Sequence, residues 1–495
     1  MKSIGGLSPV ASLESLESSA GITGVLGVLG VLGVLSIGGR ALATCWCACL
    51  VAACASRAPA PGSAASEPTL EVEPRTGLVD VPLSIRLTGL PQGGRVTLRA
   101  TMARTPEVAW QSSAVFIADG QGQIDLSRDA PVEGSYQGVD AMGLVWSMTP
   151  TSDAWVQALA KVSQLDPAQI RFEAEHEGKV FAGAEVQRLK VVADVTRHEV
   201  RDDGLVGALF LPPRAAGGPP PGVLVLGGSE GGMREDTAAL LASHGYAALA
   251  LAYFAAPDLP PTLEKIPLEY FEKAVKWMAN HEAIDGEHLA VQGISRGAEL
   301  ALLGTATYPE HIDAVIAHSP SGVVWPGVGG YPPGPAWTRG GESVTTASLP
   351  VDPETQGEIL RRMRADEPIV LTPTFHAAMT HKEVVAAAEI PVERIRGPVL
   401  LISGKGDEVW PATDLAEIAV ARLRAHNHPF SVEHLAYEDA GHLLLPPYRI
   451  TSITAMPHPV LRMKLSFGGT PAGTARAVAE SWPRVLAFLE QSLRS

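Results

Sequence analysis

The spacing of hydrophobic positions divides the chain near residue 199. Between residues 69 and 198, apolar and polar residues alternate with period two in short runs that are separated by glycine and proline turns. The expected strands are Leu70–Val72, Leu83–Leu87 and Val96–Ala100, with a closing ribbon of Ile170–Glu175 and Val186–Val192. This pattern predicts an antiparallel β-sandwich. Because the region combines no nucleophile, base and acid, we interpret it as an accessory domain. Its three tryptophans, Trp110, Trp146 and Trp155, are expected to anchor a core or an interface.

From about residue 199 to residue 495, strands alternate with helical stretches. The expected strands are Val223–Leu226, Ala247–Ala252, His288–Gln292, Ala314–His318, Pro398–Ile402 and Ser431–Ala436. The expected helices are Glu235–His244, Leu263–Glu282, Ala298–Thr307, Thr413–Ala425 and Ala472–Leu493. Such alternation predicts a mostly parallel sheet with helices on both faces, and reactive groups at the carboxyl ends of its strands.

Residues 319–395 interrupt this alternation. They contain a proline-rich run and a charged helical piece, Thr355–Ala365. Because this insertion lies between two core strands, we expect it to lie over the catalytic face as a lid that shapes the substrate site. An ordinary excursion that packs on the sheet edge is the alternative.

A sharp strand-to-helix turn is expected at Gly293-Ile-Ser-Arg-Gly297. Glycine two residues before and two residues after Ser295 relieves the crowding that such a turn creates, and the turn exposes the serine hydroxyl. A second match to the same G-x-S-x-G pattern surrounds Ser229. Because Ser229 follows the first strongly apolar strand and Ser295 follows a later one, we assign the nucleophile to Ser295. The early loop is then expected to supply an oxyanion donor.

Two further strand ends carry an acid and a base. Asp407 follows the strand that ends at Ile402, and His442 follows the next strand, so the chain order is Ser, Asp, His. This is the order of triads on the sheet predicted here. Asp439 and Glu408 are rival acids, but Asp439 is close to His442 along one loop and Glu408 is one residue out of place.

The oxyanion donors are predicted from the same turns. The backbone N–H of Arg296 follows the nucleophile directly, and the Gly228–Glu230 loop offers a second N–H, from Ser229 or Glu230. No metal site is predicted.

Composition narrows the functional classes. The net charge of −15 without basic runs argues against nucleic acid as a partner. With 46% hydrophobic and 18% charged residues, the chain of 495 residues can bury large cores in two or three domains. All four cysteines lie between residues 45 and 54, so the body of the protein has no disulfide, zinc site or cysteine nucleophile.

Residues 1–68 have the composition of a leader and tether. After a glycine-rich repeat, Arg40 precedes an apolar run that ends Leu50-Val-Ala-Ala-Cys54. A basic residue, an apolar core and small residues are typical of a secretory signal, and the ending resembles a bacterial lipobox. We therefore predict a membrane lipoprotein on the periplasmic side, lipidated at Cys54. A conventional signal peptide is one alternative, and a mis-set start codon with a cytoplasmic protein is the other.

Longer motifs resemble one family, the acyl-CoA thioesterases and bile acid-CoA:amino acid N-acyltransferases. They are Pro82–Leu90, Gly134–Met148, Gly227–Gly232, Gly293–Leu300, Ile402–Pro411, Gly441-His442, Phe467–Pro471 and Ser481–Pro483. The resemblance implies an immunoglobulin-like first domain, residues 69–198, and an α/β-hydrolase second domain, residues 199–495. It also implies that Ser295, Asp407 and His442 are nucleophile, acid and base.

The expected function is hydrolysis of acyl-CoA through a serine acyl-enzyme, with coenzyme A as part of the substrate and no separate cofactor. The resemblance implies that serine at position 295 favours hydrolysis over transfer to an amino acid, which is the first alternative. An exported carboxylesterase or dienelactone-type hydrolase is the second, since acyl-CoA is a cytoplasmic metabolite. A binding lipoprotein with an inert hydrolase domain is a third. The oligomeric state is not predicted.

Overall fold

The computed structural model describes residues 67–494 except 106–107, 215–217 and 351. Cys54 and the predicted leader up to residue 66 lie outside the described residues. The described part belongs to one compact unit. In that part, no helix combines the length and the apolar character that a membrane span requires.

The first domain is built from short strands. Its elements are β1 (Thr69–Glu73), β2 (Thr76–Leu78), β3 (Ser84–Thr88), β4 (Arg95–Thr105), β5 (Val108–Ile117), β6 (Ile124–Asp125), β7 (Glu133–Gly134), α1 (Gly143–Trp146), β8 (Thr149–Pro150), α2 (Trp155–Leu159), β9 (Ala168–His176) and β10 (Lys179–Leu189). One sheet has the order β1-β3-β6, and the other has the order β2-β10-β9-β4-β5-β7 with β8 beside β5. Alternate residues of both sheets enter one core, as in Leu70 and Ile85 facing Leu98 and Phe172.

This arrangement confirms the predicted sandwich. Trp110 and Trp146 are buried in its core, and Trp155 is half-buried. The closing ribbon is β9 paired with β10, but β10 begins at Lys179 rather than at Val186. Its first residues are largely exposed, so they lack the alternation that a sequence pattern needs.

The second domain contains the remaining elements. They are β11 (Thr196–Val200), β12 (Val206–Leu211), β13 (Pro221–Leu226), α3 (Glu235–Ser243), β14 (Ala247–Ala252), β15 (Ile266–Pro267), α4 (Leu268–Ala279), β16 (Asp285–Ile294), α5 (Arg296–Thr307), β17 (Ala314–His318), β18 (Trp337–Arg339), β19 (Glu342–Ser343), α6 (Pro353–Arg364), α7 (Thr372–Met379), α8 (Lys382–Ala387), β20 (Val399–Gly404), α9 (Ala412–Ala425), β21 (Val432–Tyr437), β22 (Ala455–Pro457), β23 (Lys464–Ser466) and α10 (Pro471–Leu493).

Eight of these strands form one sheet in the order β11-β12-β14-β13-β16-β17-β20-β21. β12 pairs antiparallel with both of its neighbours, and the strands from β14 to β21 are parallel. Helices α3 and α10 bury Leu240 and Trp482 against one face, while α4 and α5 bury Phe271 and Leu300 against the other. This is the α/β-hydrolase sheet that was predicted, and its strand ends carry the candidate site.

Two predicted boundaries differ from the structure. β11 starts at Thr196, so the first strand of the eight-stranded sheet straddles the expected domain boundary at 198/199. Helix α4 starts at Leu268 rather than at Leu263, because the N–H groups of Leu263 and Ile266 donate to Val328 and Ala336 at 2.9 Å each. The apolar residues before Pro267 have the spacing of a helix, but their backbone is extended and pairs with another segment.

Candidate active site

The turn between β16 and α5 holds Ser295 in an unusual backbone conformation. Its φ is 56° and its ψ is −123°, a region that side chains rarely adopt. A Cβ on Gly293 would lie 2.1 Å from the Gly297 carbonyl oxygen, and a Cβ on Gly297 would lie 2.2 Å from that of Gly227. Both glycines are therefore required by close backbone approach. Helix α5 begins directly after Ser295, two residues earlier than expected.

Three side chains from three strand ends form one hydrogen-bonded series. The Oγ of Ser295 lies 2.9 Å from Nε2 of His442, and Nδ1 of His442 lies 2.6 Å from Oδ2 of Asp407. All three residues are buried, with 6%, 4% and 5% exposure respectively. Since the Asp407 carboxylate can only accept, Nδ1 carries the proton and Nε2 can accept from the serine hydroxyl. The structure thus brings together the three residues that the sequence singled out.

Asp407 is fixed by its own loop. Its Oδ1 accepts from the N–H groups of Val409 at 2.8 Å and Trp410 at 3.2 Å, which leaves Oδ2 for His442. The rival acids are engaged elsewhere. Glu408 accepts from the Ser466 hydroxyl at 2.5 Å, and Asp439 faces Arg476 at 3.4 Å.

The backbone and ring of His442 are also held in place. Its N–H donates to the Phe467 carbonyl at 2.8 Å, and its carbonyl accepts from Ser319 Oγ at 2.6 Å. The imidazole meets the edge of Trp410 at 6.0 Å and lies nearly parallel to the Phe467 ring at 6.5 Å. These contacts fix the direction of Nε2 towards Ser295.

The Gly228–Glu230 loop passes beside the serine. A Cβ on Gly228 would lie 3.2 Å from the Cβ of Ser295. Among the residues that the structure describes, none accepts a hydrogen bond from the backbone N–H of Arg296, Ser229 or Glu230. The predicted oxyanion donors are thus close to the nucleophile and have no other acceptor in the described chain.

The hydroxyl of Ser229, the second G-x-S-x-G serine, contacts a histidine that the sequence reasoning missed. His458 Nε2 lies 2.9 Å from Ser229 Oγ, and its Nδ1 accepts from the N–H groups of Val460 and Leu461. Nε2 therefore carries the proton and donates to Ser229. Burial lowers the pKa of His458 to about 4, so the ring is neutral at pH 7. Nothing in the local sequence, Pro-His-Pro, indicates a partner 229 residues away.

A buried ion pair lies directly after the turn. Arg296 Nη1 lies 3.0 Å from Glu299 Oε2, and Arg296 Nη2 donates to the Trp325 carbonyl at 3.0 Å. The other Glu299 oxygen accepts from Trp337 Nε1 at 2.7 Å. Burial raises the pKa of Glu299 to about 7 despite the arginine. Trp325 and Trp337 belong to the 319–395 insertion, which therefore supports the start of α5 from within the protein.

A cavity of about 470 Å³ opens beside Ser295 and His442. Its wall includes Leu159 and Val162 of the first domain, the loop of Ser229 and Glu230, and several residues of the segment 443–467. None of its described lining residues lies between 319 and 395. In the insertion, Trp325 and Phe375 pack edge to face at 4.9 Å, and Phe375 continues to Trp410. The first domain and the segment after His442 enclose the site instead.

In the described residues, no group of three or more His, Cys, Asp or Glu side chains is arranged to hold a metal ion.

Comparison with known proteins places this chain in a family. A family model described as BAAT/acyl-CoA thioester hydrolase C terminal matches residues 266–495, and one described as acyl-CoA thioester hydrolase/BAAT N-terminal region matches residues 80–202. Acyl-coenzyme A amino acid N-acyltransferase 2 of Mus musculus is 33% identical over 429 residues, covering 85% of this chain and 96% of the relative. The chain belongs to the acyl-CoA thioester hydrolase/BAAT family. This confirms the resemblance found in the sequence.

Two further relatives of this family member are named as thioesterases. Acyl-coenzyme A thioesterase 6 of Mus musculus is 32% identical, covering 86% of this chain and 97% of its own. The peroxisomal succinyl-coenzyme A thioesterase of Mus musculus is 31% identical with the same coverage. Among solved structures, a dienelactone hydrolase-like promiscuous phosphotriesterase from metagenomic libraries aligns with 61% of this chain and 99% of its own, at 16% identity and a TM-score of 0.36.

Proposed function

We propose that this protein hydrolyses acyl-CoA thioesters through an acyl-enzyme on Ser295. The observation that carries the proposal is the buried Ser295–His442–Asp407 series at a cavity, in a chain that belongs to the acyl-CoA thioester hydrolase/BAAT family. Relatives named as acyl-coenzyme A thioesterases support a thioester as the substrate.

In the first half of the reaction, Ser295 Oγ attacks the thioester carbonyl carbon while its proton moves to His442 Nε2. Asp407 holds the Nδ1 proton and stabilises the imidazolium that forms. The tetrahedral intermediate then expels the thiolate of coenzyme A, which takes the proton from Nε2. The acyl group remains on Ser295 as an ester.

In the second half, a water molecule attacks the ester carbonyl with His442 Nε2 as the base. Collapse of the second tetrahedral intermediate returns the proton to Ser295 Oγ and releases the free acid. Both intermediates carry an oxyanion. The N–H of Arg296 and that of Ser229 or Glu230 are the donors proposed to hold it, each contributing roughly 2.7 to 4 kcal/mol to the barrier reduction.

An amine could replace water in the second half. The relatives named as acyl-coenzyme A amino acid N-acyltransferases favour this as the second candidate, in which an amide replaces the free acid. The side chains of the first half-reaction are the same, so the two candidates differ only in the acceptor.

The deciding experiment measures thiol release from butyryl-CoA by wild-type protein, Ser295→Ala and Ser431→Ala, with and without added glycine or taurine. Ser431 is an exposed serine just before β21 and serves as the matched control. We expect thiol release by wild type and Ser431→Ala, none above background by Ser295→Ala, and free acid as the product in mass spectra. Turnover by Ser295→Ala with unchanged thermal unfolding would refute the mechanism, and amide as the main product would establish the second candidate.

A further inference from the structure

A second cavity lies between the β-sandwich and the segment that follows His442. Its volume is about 270 Å³. The sandwich contributes Met102, Trp110 and Val145 to its wall, and the segment after His442 contributes Ile450 and Ile453. Most of its lining side chains are apolar, so it resembles the interior of a protein more than a polar cleft.

The second cavity is adjacent to the one that contains Ser295. Both cavities are lined by Leu159, Lys190, Leu443, Leu445, Arg449 and Met456. Leu443, Leu445 and Met456 are half-buried, and each faces both cavities. An acyl chain that starts at Ser295 and passes these three apolar side chains enters the second cavity.

The cations in the wall of the second cavity already have protein partners. Arg188 Nη2 donates to the Val79 carbonyl at 2.9 Å, and Arg449 Nη1 donates to Asp236 at 2.6 Å. Arg188 Nε and Nη1 and Arg449 Nε and Nη2, however, have no acceptor among the described residues. A carboxylate at the far end of a ligand would meet these nitrogen atoms. The test therefore has to distinguish a chain that ends in a carboxylate from a plain hydrocarbon chain.

We infer that the second cavity receives the distal hydrocarbon of a medium- or long-chain acyl group whose carbonyl carbon lies at Ser295; this inference rests on the proposed function. A methylene group needs about the volume that water occupies in the liquid, roughly 30 Å³, so the cavity holds on the order of nine methylene groups. The apolar lining fits an unsubstituted chain. The sandwich then acts as the chain-length determinant of the enzyme.

The inference predicts a steep dependence on chain length. Each methylene that moves from water into an apolar cavity improves kcat/KM by about fourfold, until the second cavity is full. The Ser295 cavity of about 470 Å³ also has to hold the thioester and the adjoining part of coenzyme A, so without access to the second cavity the gain ends at a shorter acyl chain.

Two substitutions alter the second cavity in opposite directions. Ala168→Leu places a larger side chain in the second cavity and so reduces its volume. Ala168 lies on β9 and lines the second cavity but not the first. Trp155→Ala removes a half-buried ring from the wall of the same cavity, and its melting temperature is measured beside its activity. Ala103→Leu, at an exposed position on β4, is the matched control.

The test compares kcat/KM for butyryl-, octanoyl-, dodecanoyl- and hexadecanoyl-CoA, together with a dodecanoyl chain that ends in a carboxylate. We expect the dodecanoyl-to-butyryl ratio to exceed 100-fold in wild type and Ala103→Leu, to fall at least tenfold in Ala168→Leu, and to shift towards hexadecanoyl in Trp155→Ala. Calorimetric binding of the same series to Ser295→Ala gives the chain-length trend independently of turnover.

A flat profile in wild type, with butyryl-CoA still hydrolysed, would overturn the inference and leave the proposed function standing. A preference for the carboxylate-terminated chain would overturn it in favour of anion recognition at Arg188. Hydrolysis of no acyl-CoA at any length would refute the proposed function, and the inference with it.

Discussion

Replacing Asp407 with asparagine tests the assignment of the acid through a single atom. The N–H groups of Val409 and Trp410 both donate to Oδ1, so the asparagine carbonyl oxygen has to remain at that position. Its NH₂ group then occupies the place of Oδ2, 2.6 Å from His442 Nδ1. An amide N–H at this place can only donate, which forces Nδ1 to accept and moves the imidazole proton to Nε2. His442 in that tautomer cannot take the proton of Ser295.

The expected loss is large because the geometry survives and the proton is misplaced. A wrong tautomer in a serine triad costs about 10⁴-fold in kcat, or about 5 kcal/mol of transition-state stabilisation. Thermal unfolding should change little, since both backbone bonds to the side chain are retained. The assay is kcat/KM for thiol release from an acyl-CoA, measured beside the melting temperature.

The two rival acids supply matched controls. Asp439→Asn alters an exposed carboxylate near Arg476, and we expect activity within roughly twofold of wild type. Glu408→Gln keeps an acceptor for Ser466, and its loss should stay below about tenfold. Asp407 is not the acid of the triad if Asp407→Asn keeps more than a tenth of wild-type activity, or if either control loses as much activity as Asp407→Asn.

Three further predictions concern other parts of the molecule. His458→Gln weakens the bond that orients Ser229 and should lower kcat by at most about tenfold with little change in KM; a loss as large as that of Ser295→Ala would contradict this. Because burial raises the Glu299 pKa from 4.5 to about 7, the folded state keeps a proton that the unfolded chain loses, and stability falls by roughly 3 kcal/mol as pH rises across that window. Denaturant titrations should show this decline in wild type and not in Glu299→Gln. Intact mass of the native protein should show a lipidated chain beginning at Cys54; a chain beginning elsewhere would exclude the lipobox.

Local pattern predicted much of the catalytic domain. The strand before Ser295, the glycines on either side of it and the two later strand ends all carry signals within a dozen residues. Each signal reflects a local requirement, such as the close approach of Gly297 to the Gly227 carbonyl. Such local requirements can be inferred from the sequence. The order of strands along the chain then indicates where their carboxyl ends meet.

The enclosure of the site could not be read in this way. The lid was expected in the 319–395 insertion, whereas the cavity wall comes from the sandwich and from residues 443–467. The contacts that decide this, such as that of Ser229 with His458, join residues far apart in the chain and have no periodic signature. The insertion instead buries Trp325 and Trp337 around Glu299, a packing role that a proline-rich sequence does not reveal.

The most direct test of the central claim is to locate the nucleophile chemically. A serine-reactive fluorophosphonate is added to wild type, Ser295→Ala and His442→Ala, and the modified peptide is identified by mass spectrometry. We expect one adduct on Ser295 in wild type, none in Ser295→Ala, and strongly slowed labelling in His442→Ala. An adduct on Ser229, or a wild-type protein that stays unlabelled while folded, would contradict the assignment of Ser295.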